Sequence, residues 1–503
     1  DAVPGGVMLP IWLDPTLFAA ISALLLALVF LHRRTASAAA PTAEAGAVLR
    51  APPWQSPKLS ETECFEAAVK AAPRLLGYLV DNEPQSLYGL YKQATLGDAP
   101  AGGAGGGLKA RAKAAAWRAQ AGKEAAACRA EYVALLDGVT KRAAACVLPP
   151  SLRQKPRCAD LRCRVRILGT GHYLPPNIVT NREIERRGGL EPLSLDRARS
   201  GVTERRFAAD DERASAMAAA AARQALEAAG VAPESLTCIV HASGTPEQCL
   251  PDGGPLLQRE LGLGGSGIRA FSVHATCLSF LVGLETACML LARADTPDDA
   301  LILVCSSEIS SRHVDPTDEH VAPLFGDGAA ACVVRKASWR EGSALHRAHM
   351  ETYADGASLT EVRGGGTNFP FHRVDDRAAP NPAATREVNH FQMDGPATMR
   401  MVLQHGPGFM ERLRPGLSSG LGDIAWVVPH QASGLALDAI TDALGWPAER
   451  MLRTLDRLGN VVAASIPLTL HAGVTSGRIQ RGDKLLLMGT GAGLSFGGMI
   501  LTF

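Results

Sequence analysis

Residues 268–294, IRAFSVHATCLSFLVGLETACMLLARA, change their hydrophobic period part-way along, and this change restricts the fold more than any other feature. Ile268, Phe271 and Val273 make a short apolar run of strand type. Beyond Ala275 and Thr276, residues Leu278, Leu281, Val282, Leu284, Met289 and Leu290 recur close to the period of a buried helix. Cys277 therefore sits where a strand turns into a helix. Backbone N–H groups at a helix N-terminus carry partial positive charge, which favours a thiolate, and a thiolate is a good acyl acceptor. A buried structural cysteine would give the same local pattern.

Two later stretches add chemistry. In DIAWVVPHQAS, an apolar strand over 424–428 ends at Pro429 and delivers His430 just past its end. In LDRLGNVVAASIPL, Gly459 breaks a helix, Asn460 follows, and a helix of small residues begins. A Cys, a His and an Asn, each at the end of a regular element, form a candidate acyl-transfer site. Strands and helices alternate around them: a strand over 165–168 closed by a tight Gly169-Thr170-Gly171 turn, a helix over 217–230, and strands over 236–241, 301–305 and 328–334. This alternation argues for an α/β domain, and a second block over 336–503 points to two similar halves. Neither GTG nor the later GTGAG at 489–493 reads as a dinucleotide loop, because no βαβ context follows.

The ordered strings ILGTGHYLPPNIVTN, SGVTERRF, DPTDEHVAPLFGDGAAACVV, VVPHQA, LDRLGN with AAS, and GTGAGLSFGG, together with the cysteine helix, resemble the thiolase-fold condensing enzymes, specifically β-ketoacyl synthase III. The resemblance implies a five-layer αβαβα fold, usually homodimeric, with halves over 164–335 and 336–503. It implies Cys277, His430 and Asn460 as catalytic residues, and the N–H groups of Cys277 and Ala492 as the oxyanion hole. An acyl-CoA would acylate Cys277. Decarboxylation of malonyl-ACP or malonyl-CoA would then supply the carbanion for a 3-ketoacyl product of fatty-acid or polyketide synthesis. Several positions depart from the family pattern. Leu458 stands where a histidine usually precedes Gly-Asn, Leu195 and Glu319 where a Trp and an Arg clamp CoA, and Leu435 where an arginine docks the carrier. Asp252 lies at an acyl-pocket position that is usually apolar. As a base there it would suit a non-decarboxylative, head-to-head condensation of two acyl-CoAs. A non-enzymatic acyl-CoA-binding protein is a third reading.

Residues 59–145 read as a separate helical unit. Ser60 with Glu63 forms a capping box, and Tyr88, Tyr91 and Lys92 share one face of the helix that carries SLYGLYKQATLGD. Phenols beside ammonium groups can stack on an adenine and hold phosphates. The string YGLYKQATLGD resembles acyl-CoA-binding protein, a four-helix bundle. That resemblance implies Tyr88, Tyr91, Lys92, Lys113 and Tyr132 as acyl-CoA contacts, with Ala114 in place of one of the family's tryptophans. A linker over 146–163 follows.

Residues 1–58 read as an N-terminal hydrophobic anchor or leader. The apolar run over 17–31 is followed by His32, Arg33 and Arg34. That charge order predicts a signal anchor with the downstream domains on the cytosolic side. The alternative is a cleaved leader, with Ala36-Ser37-Ala38 as the cleavage site and a plastid destination. A net charge of +1 argues neither way on a nucleic-acid partner, but no basic tract is interleaved with aromatics and none is expected. The 11 cysteines lack regular spacing and read as reduced thiols; no metal or cofactor is expected.

Overall fold

The computed structural model describes residues 53–56, 59–72, 83–100, 108–145, 163–197, 200–367, 369 and 388–503. The expected anchor or leader over 17–31 and nearly all of the expected linker lie outside the described residues. Among the described residues, no helix is long and apolar enough to cross a membrane. The chain divides into two compact units, 1–155 and 156–503.

Among its described residues, the first unit has four α-helices: α1 (Glu61–Ala71), α2 (Glu83–Leu96), α3 (Leu108–Arg118) and α4 (Ala125–Ala145). The capping box opens α1 as expected: the Ser60 side chain accepts from the Glu63 N–H, and the Glu63 carboxylate accepts from the Ser60 N–H at 2.8 Å. Trp54, Phe65, Leu87, Leu90, Leu136 and Val139 form the core. Gly89 sets the approach of α2 to α3, since a Cβ there would lie 2.3 Å from the Ala116 carbonyl oxygen.

Among its described residues, the second unit contains a five-stranded and a four-stranded sheet, beside two two-stranded ones. The strands of the two larger sheets are β1 (Val165–Tyr173), β2 (Leu236–Ala242), β3 (Arg269–Val273), β4 (Leu301–Glu308), β5 (Gly328–Lys336), β6 (Ala344–Thr352), β7 (Trp426–Pro429), β8 (Lys484–Gly491) and β9 (Ser495–Thr502). The first sheet runs β1-β5-β4-β2-β3 and the second β7-β8-β9-β6. In each, a parallel pair (β2 with β4, β7 with β8) continues into two antiparallel pairs, and the first sheet adds β3, parallel to β2, at its edge. The expected similarity of the two halves is therefore present in the strand order itself.

The helices that pack on these two sheets are α5 (Ala214–Ala229), α6 (Gly253–Glu260), α7 (Ser279–Ala292), α8 (Gly395–Leu413), α9 (Gly434–Leu444) and α10 (Ser465–Thr475). Helices α5 and α6 cover the outer face of the first sheet, with Met217 and Leu257 in one core with Ile239, Leu303 and Val333. Helices α7 and α10 lie between the sheets, where Leu284 and Ile466 share a core with Val304, Leu485 and Leu487. Phe409 and Leu444, from α8 and α9, pack with Leu486 and Met488 on the far side. Successive β8 side chains thus enter different cores, which is why KLLLM reads as one apolar run. The layer order is αβαβα, the thiolase-like arrangement.

One expectation is corrected. Gly169-Thr170-Gly171 is not a turn: β1 passes straight through it, with a bulge between Ile167 and Gly169. The glycines are needed for packing. A Cβ at Gly169 would meet the Ala225 carbonyl oxygen at 2.4 Å, and one at Gly171 the Ala221 carbonyl oxygen at 2.2 Å. Backbone therefore rests on backbone where α5 crosses β1.

Candidate active site

Beyond β3, the chain turns through Ala275, Thr276 and Cys277 into α7. Thr276 has φ 50°, an uncommon conformation for a β-branched residue. Ser279 holds this turn, its Oγ accepting from the Ala275 N–H at 2.9 Å and donating to the Thr276 carbonyl at 2.7 Å. The glycine end of β8 presses against the other side, where a Cβ at Gly491 would sit 2.6 Å from Thr276 Oγ1.

Cys277 is partly buried. Burial, and next the Glu308 carboxylate, push its thiol up to about 12, while the N–H groups of Cys277 itself and of Ala492 pull it down. The resting group is a neutral thiol, which corrects the expected helix-stabilised thiolate. Helix α7 begins only at Ser279, and burial outweighs the two N–H groups. Those donors are nonetheless the pair expected at an oxyanion hole, and both reach Cys277.

His430 follows β7, its N–H donating to the Met488 carbonyl at 2.7 Å. Its side chain lies over Gly489, where a Cβ would come within 2.6 Å of His430 Cβ. The imidazole is 5% exposed, and Nδ1 has no hydrogen-bond partner among the described residues. Burial pushes its pKa down to about 4, partly opposed by the Val462 backbone, so the ring is neutral at neutral pH.

Asn460 follows Gly459, which ends a short helix with φ 67°. The Asn460 N–H donates to the Leu324 carbonyl at 2.7 Å, and its own carbonyl accepts from the Gly326 N–H at 3.1 Å. Its Oδ1 accepts the Val462 N–H at 2.9 Å, which leaves Nδ2 as the donor end of the side chain. Arg205, fully buried, anchors the segment that Asn460 pairs with, donating from Nη2 to the Pro323 carbonyl at 2.6 Å and to Asn181 Oδ1 at 2.7 Å. Val462 links the three candidates. Its N–H orients Asn460, its backbone bonds His430, and its side chain joins the apolar cluster against which Cys277 packs.

Asp252 is not drawn into this group. It is exposed and caps α6, accepting from the Gly254 N–H at 3.0 Å and the Ser272 N–H at 3.4 Å. Among the other departures, Leu195 is a core residue packed with Val179 and Ile184, whereas Glu319 and Leu435 are exposed.

In the first unit, α2 and α3 bring Tyr88, Lys92 and Lys113 together. Lys92 Nζ lies 5.9 Å from the Tyr88 ring centre and 5.4 Å from that of Trp117, and Lys113 Nζ lies 5.3 Å from Tyr88. Burial and the neighbouring Lys113 lower the Lys92 pKa. Tyr91 and Tyr132 meet through Phe65, at ring separations of 6.3 Å and 5.2 Å. Aromatic faces beside two ammonium groups suit a purine carrying phosphates.

The 3-oxoacyl-[acyl-carrier-protein] synthase III description matches residues 271–356, and its C-terminal counterpart matches residues 418–503. The acetoacetyl CoA synthase NphT7 of Streptomyces sp. (strain CL190) is 34% identical over 332 residues, covering 66% of this chain and 96% of that protein. A β-ketoacyl-[acyl-carrier-protein] synthase III of Erythrobacter litoralis is 34% identical over 340 residues, covering 68% of this chain and 99% of the relative. The chain belongs to the β-ketoacyl synthase III family. The synthase III of Aquifex aeolicus VF5 shares the fold, with a TM-score of 0.58 at 28% identity over 67% of this chain and 100% of its own. Residues 62–136 match the acyl-CoA-binding protein family, so this synthase III carries an acyl-CoA-binding module on the same polypeptide.

Sequence reasoning missed several residues that shape the synthase site: Ser279, Val462 and Glu308. Ser279 carried a readable signal, a serine two residues past the cysteine at a helix start. Val462 and Glu308 carried none: Val462 reads as an ordinary apolar residue beside Asn460, and Gly244 and Thr245, the partners of Glu308, lie far away in the chain.

The buried imidazoles also set the acid limit of this synthase. Burial pushes His241, His430 and His471 each down to about 4. An unfolded imidazole titrates near about 6.5, so the unfolded chain binds protons there that the fold refuses. This stability is complete above about 6.5 and is lost as pH falls through 4. Glu308, raised to about 8 by burial, acts in the opposite sense, as do the raised carboxyls of Glu285 and Asp327, whereas the carboxyls of Glu183 and Glu341, held low by arginine partners, add to the loss in acid. The melting temperature should therefore drop between pH 6.5 and 4.5, as thermal unfolding across that range would check.

Proposed function

We propose that the synthase unit transfers an acyl group from a CoA thioester to Cys277 and then joins it to a malonyl-derived carbanion. The convergence of two N–H groups on Cys277, with two neutral side-chain donors held nearby through Val462, carries this reading. In the first half-reaction the Cys277 sulfur attacks the thioester carbonyl, its N–H and that of Ala492 hold the oxyanion, and the thiol proton ends on the departing coenzyme A. In the second, the malonyl carboxylate leaves as carbon dioxide. His430 and the Asn460 amide donate to the thioester oxygen of the resulting enolate, and the enolate carbon attacks acyl-Cys277. The products are a 3-ketoacyl thioester and the Cys277 thiolate, which takes a proton from water.

The exposed Leu435, at the position where the family docks its carrier through an arginine, favours malonyl-CoA over a carrier-bound acceptor, in line with the name of the Streptomyces relative. The acyl-CoA-binding module holds the acyl donor through Tyr88, Tyr91, Lys92, Lys113 and Tyr132. We infer a homodimer through β3, the edge strand of the first sheet. From the charge order described above, we also infer that residues 17–31 anchor the chain at a membrane, with both units on the cytosolic side. Head-to-head condensation would need a free carboxylate base, and Asp252 is engaged as a helix cap.

The test is mass spectrometry of the full chain mixed with acetyl-, octanoyl- or palmitoyl-CoA, followed by malonyl-CoA. We expect the acyl mass on the Cys277 peptide, then one carbon dioxide per 3-ketoacyl product. A product formed without carbon dioxide would favour head-to-head condensation, and no adduct from any donor would sink the acyl-transfer reading. Lys92→Ala should raise the Kd for acyl-CoA while leaving the Cys277 adduct possible at saturating donor.

A further inference from the structure

Strand β4 ends at Glu308, whose carboxyl is fully buried and takes no part in either half-reaction above. Its Oε1 accepts from the Gly244 N–H at 2.8 Å. Its Oε2 accepts from the Thr245 N–H at 2.8 Å and from the Thr245 hydroxyl at 2.6 Å. A fourth donor, the Ala463 N–H, comes from the segment that carries Asn460. Gly244 is itself wedged between the two catalytic segments, since a Cβ there would lie 2.7 Å from Val462 Cγ1 and 3.3 Å from the Thr276 carbonyl oxygen. Thr276 and Val462, the residues it separates, have φ 50° and φ 44°. Such conformations persist only where the surroundings over-determine them.

We propose that Glu308 is a positioning residue of the condensation site, holding Gly244 and Thr245 on one side and Ala463 on the other and so fixing the separation between Cys277 and Asn460. The proposal rests on the reading of Cys277 as nucleophile. A carboxyl in this role should also be felt at the thiol as charge. The ionisable groups around it are Cys277 on the facing turn, Cys305 on its own strand, and His241 on β2, which contacts Ser307 at 3.0 Å. Once ionised, Glu308 opposes formation of the Cys277 thiolate.

The experiment follows the rate of Cys277 alkylation by iodoacetamide between pH 6 and 11, read by mass spectrometry of its peptide, with the midpoint extrapolated from the rise of that rate with pH. It uses the full chain without acyl-CoA, as wild type, Glu308→Gln and Thr245→Val. Glu308→Gln should move the alkylation midpoint down by about one pH unit, the size expected for removing one charge a few ångströms away in a poorly screened site. Its condensation kcat should fall at least tenfold with the acyl-CoA KM within twofold. Thr245→Val keeps the charge and removes one donor, so the midpoint should stay while kcat falls less. An unmoved midpoint in Glu308→Gln, or a kcat loss that tracks a fallen melting temperature, overturns the proposal. If Glu308→Gln does not fold, a Thr245→Val enzyme with wild-type kcat overturns it instead. A shifted midpoint on a chain that never takes an acyl group would sink the acyl-transfer reading and leave the Glu308–Cys277 coupling standing.

Discussion

Cys277→Ala should abolish the acyl adduct and lower the rate of 3-ketoacyl formation by roughly 10⁴-fold or more, the scale seen when a covalent nucleophile is removed. The loss should be chemical, not structural. The turn around Cys277 is held by Ser279 and by the glycines of β8, which do not involve Sγ, and the side chain is only partly buried. The melting temperature should therefore change little. Burst-phase release of coenzyme A from octanoyl-CoA separates the cases: the wild type should release one equivalent per site before steady state, and the variant none. A burst that survives in Cys277→Ala would assign the nucleophile elsewhere.

Removing the enolate donors should produce the opposite pattern. His430→Ala and Asn460→Ala should each cost roughly 10²–10³-fold in malonyl decarboxylation and condensation, the usual price of one preorganised donor to a developing oxyanion. The adduct on Cys277 should still form, because its oxyanion is held by the N–H groups of Cys277 and Ala492. Asn460→Asp is the sharper variant. Its carboxylate can still accept the Val462 N–H, so the local geometry is kept. At neutral pH, however, it cannot donate, and it sets a negative charge beside the enolate. It should therefore lose at least as much condensation as Asn460→Ala. An Asn460→Asp enzyme with near wild-type carbon dioxide release would remove Asn460 from the mechanism.

Much of the site was legible because it depends on local periodicity. The shift at Ala275 and Thr276, the strand end before His430 and the helix break at Gly459 are all signals within a few residues, and each has its counterpart in the structure. The Ser60–Glu63 capping box is equally local. Interactions set by distant partners were not legible. The Gly169-Thr170-Gly171 run resembled a turn because glycine usually marks one. Here it answers to the backbone of α5, more than forty residues away in the chain. The thiolate expected at Cys277 followed from the helix start, but burial of the thiol and the charge of Glu308 are properties of the assembled interior. Asp252 was read as an acyl-pocket group from its position in the chain, whereas its short side chain is occupied at the start of α6.

The contact between β1 and α5 bears on how this chain tolerates inherited variation. A glycine codon becomes an alanine codon by a single base change, ordinarily among the mildest of replacements. At Gly169 and Gly171 that change would push a methyl group into helix backbone, which has no rotamer to move and no side chain to yield. Alanine at either position should therefore destabilise the fold far more than a glycine-to-alanine change ordinarily does, even though the residues carry no chemistry. A score based on side-chain similarity would pass it as harmless.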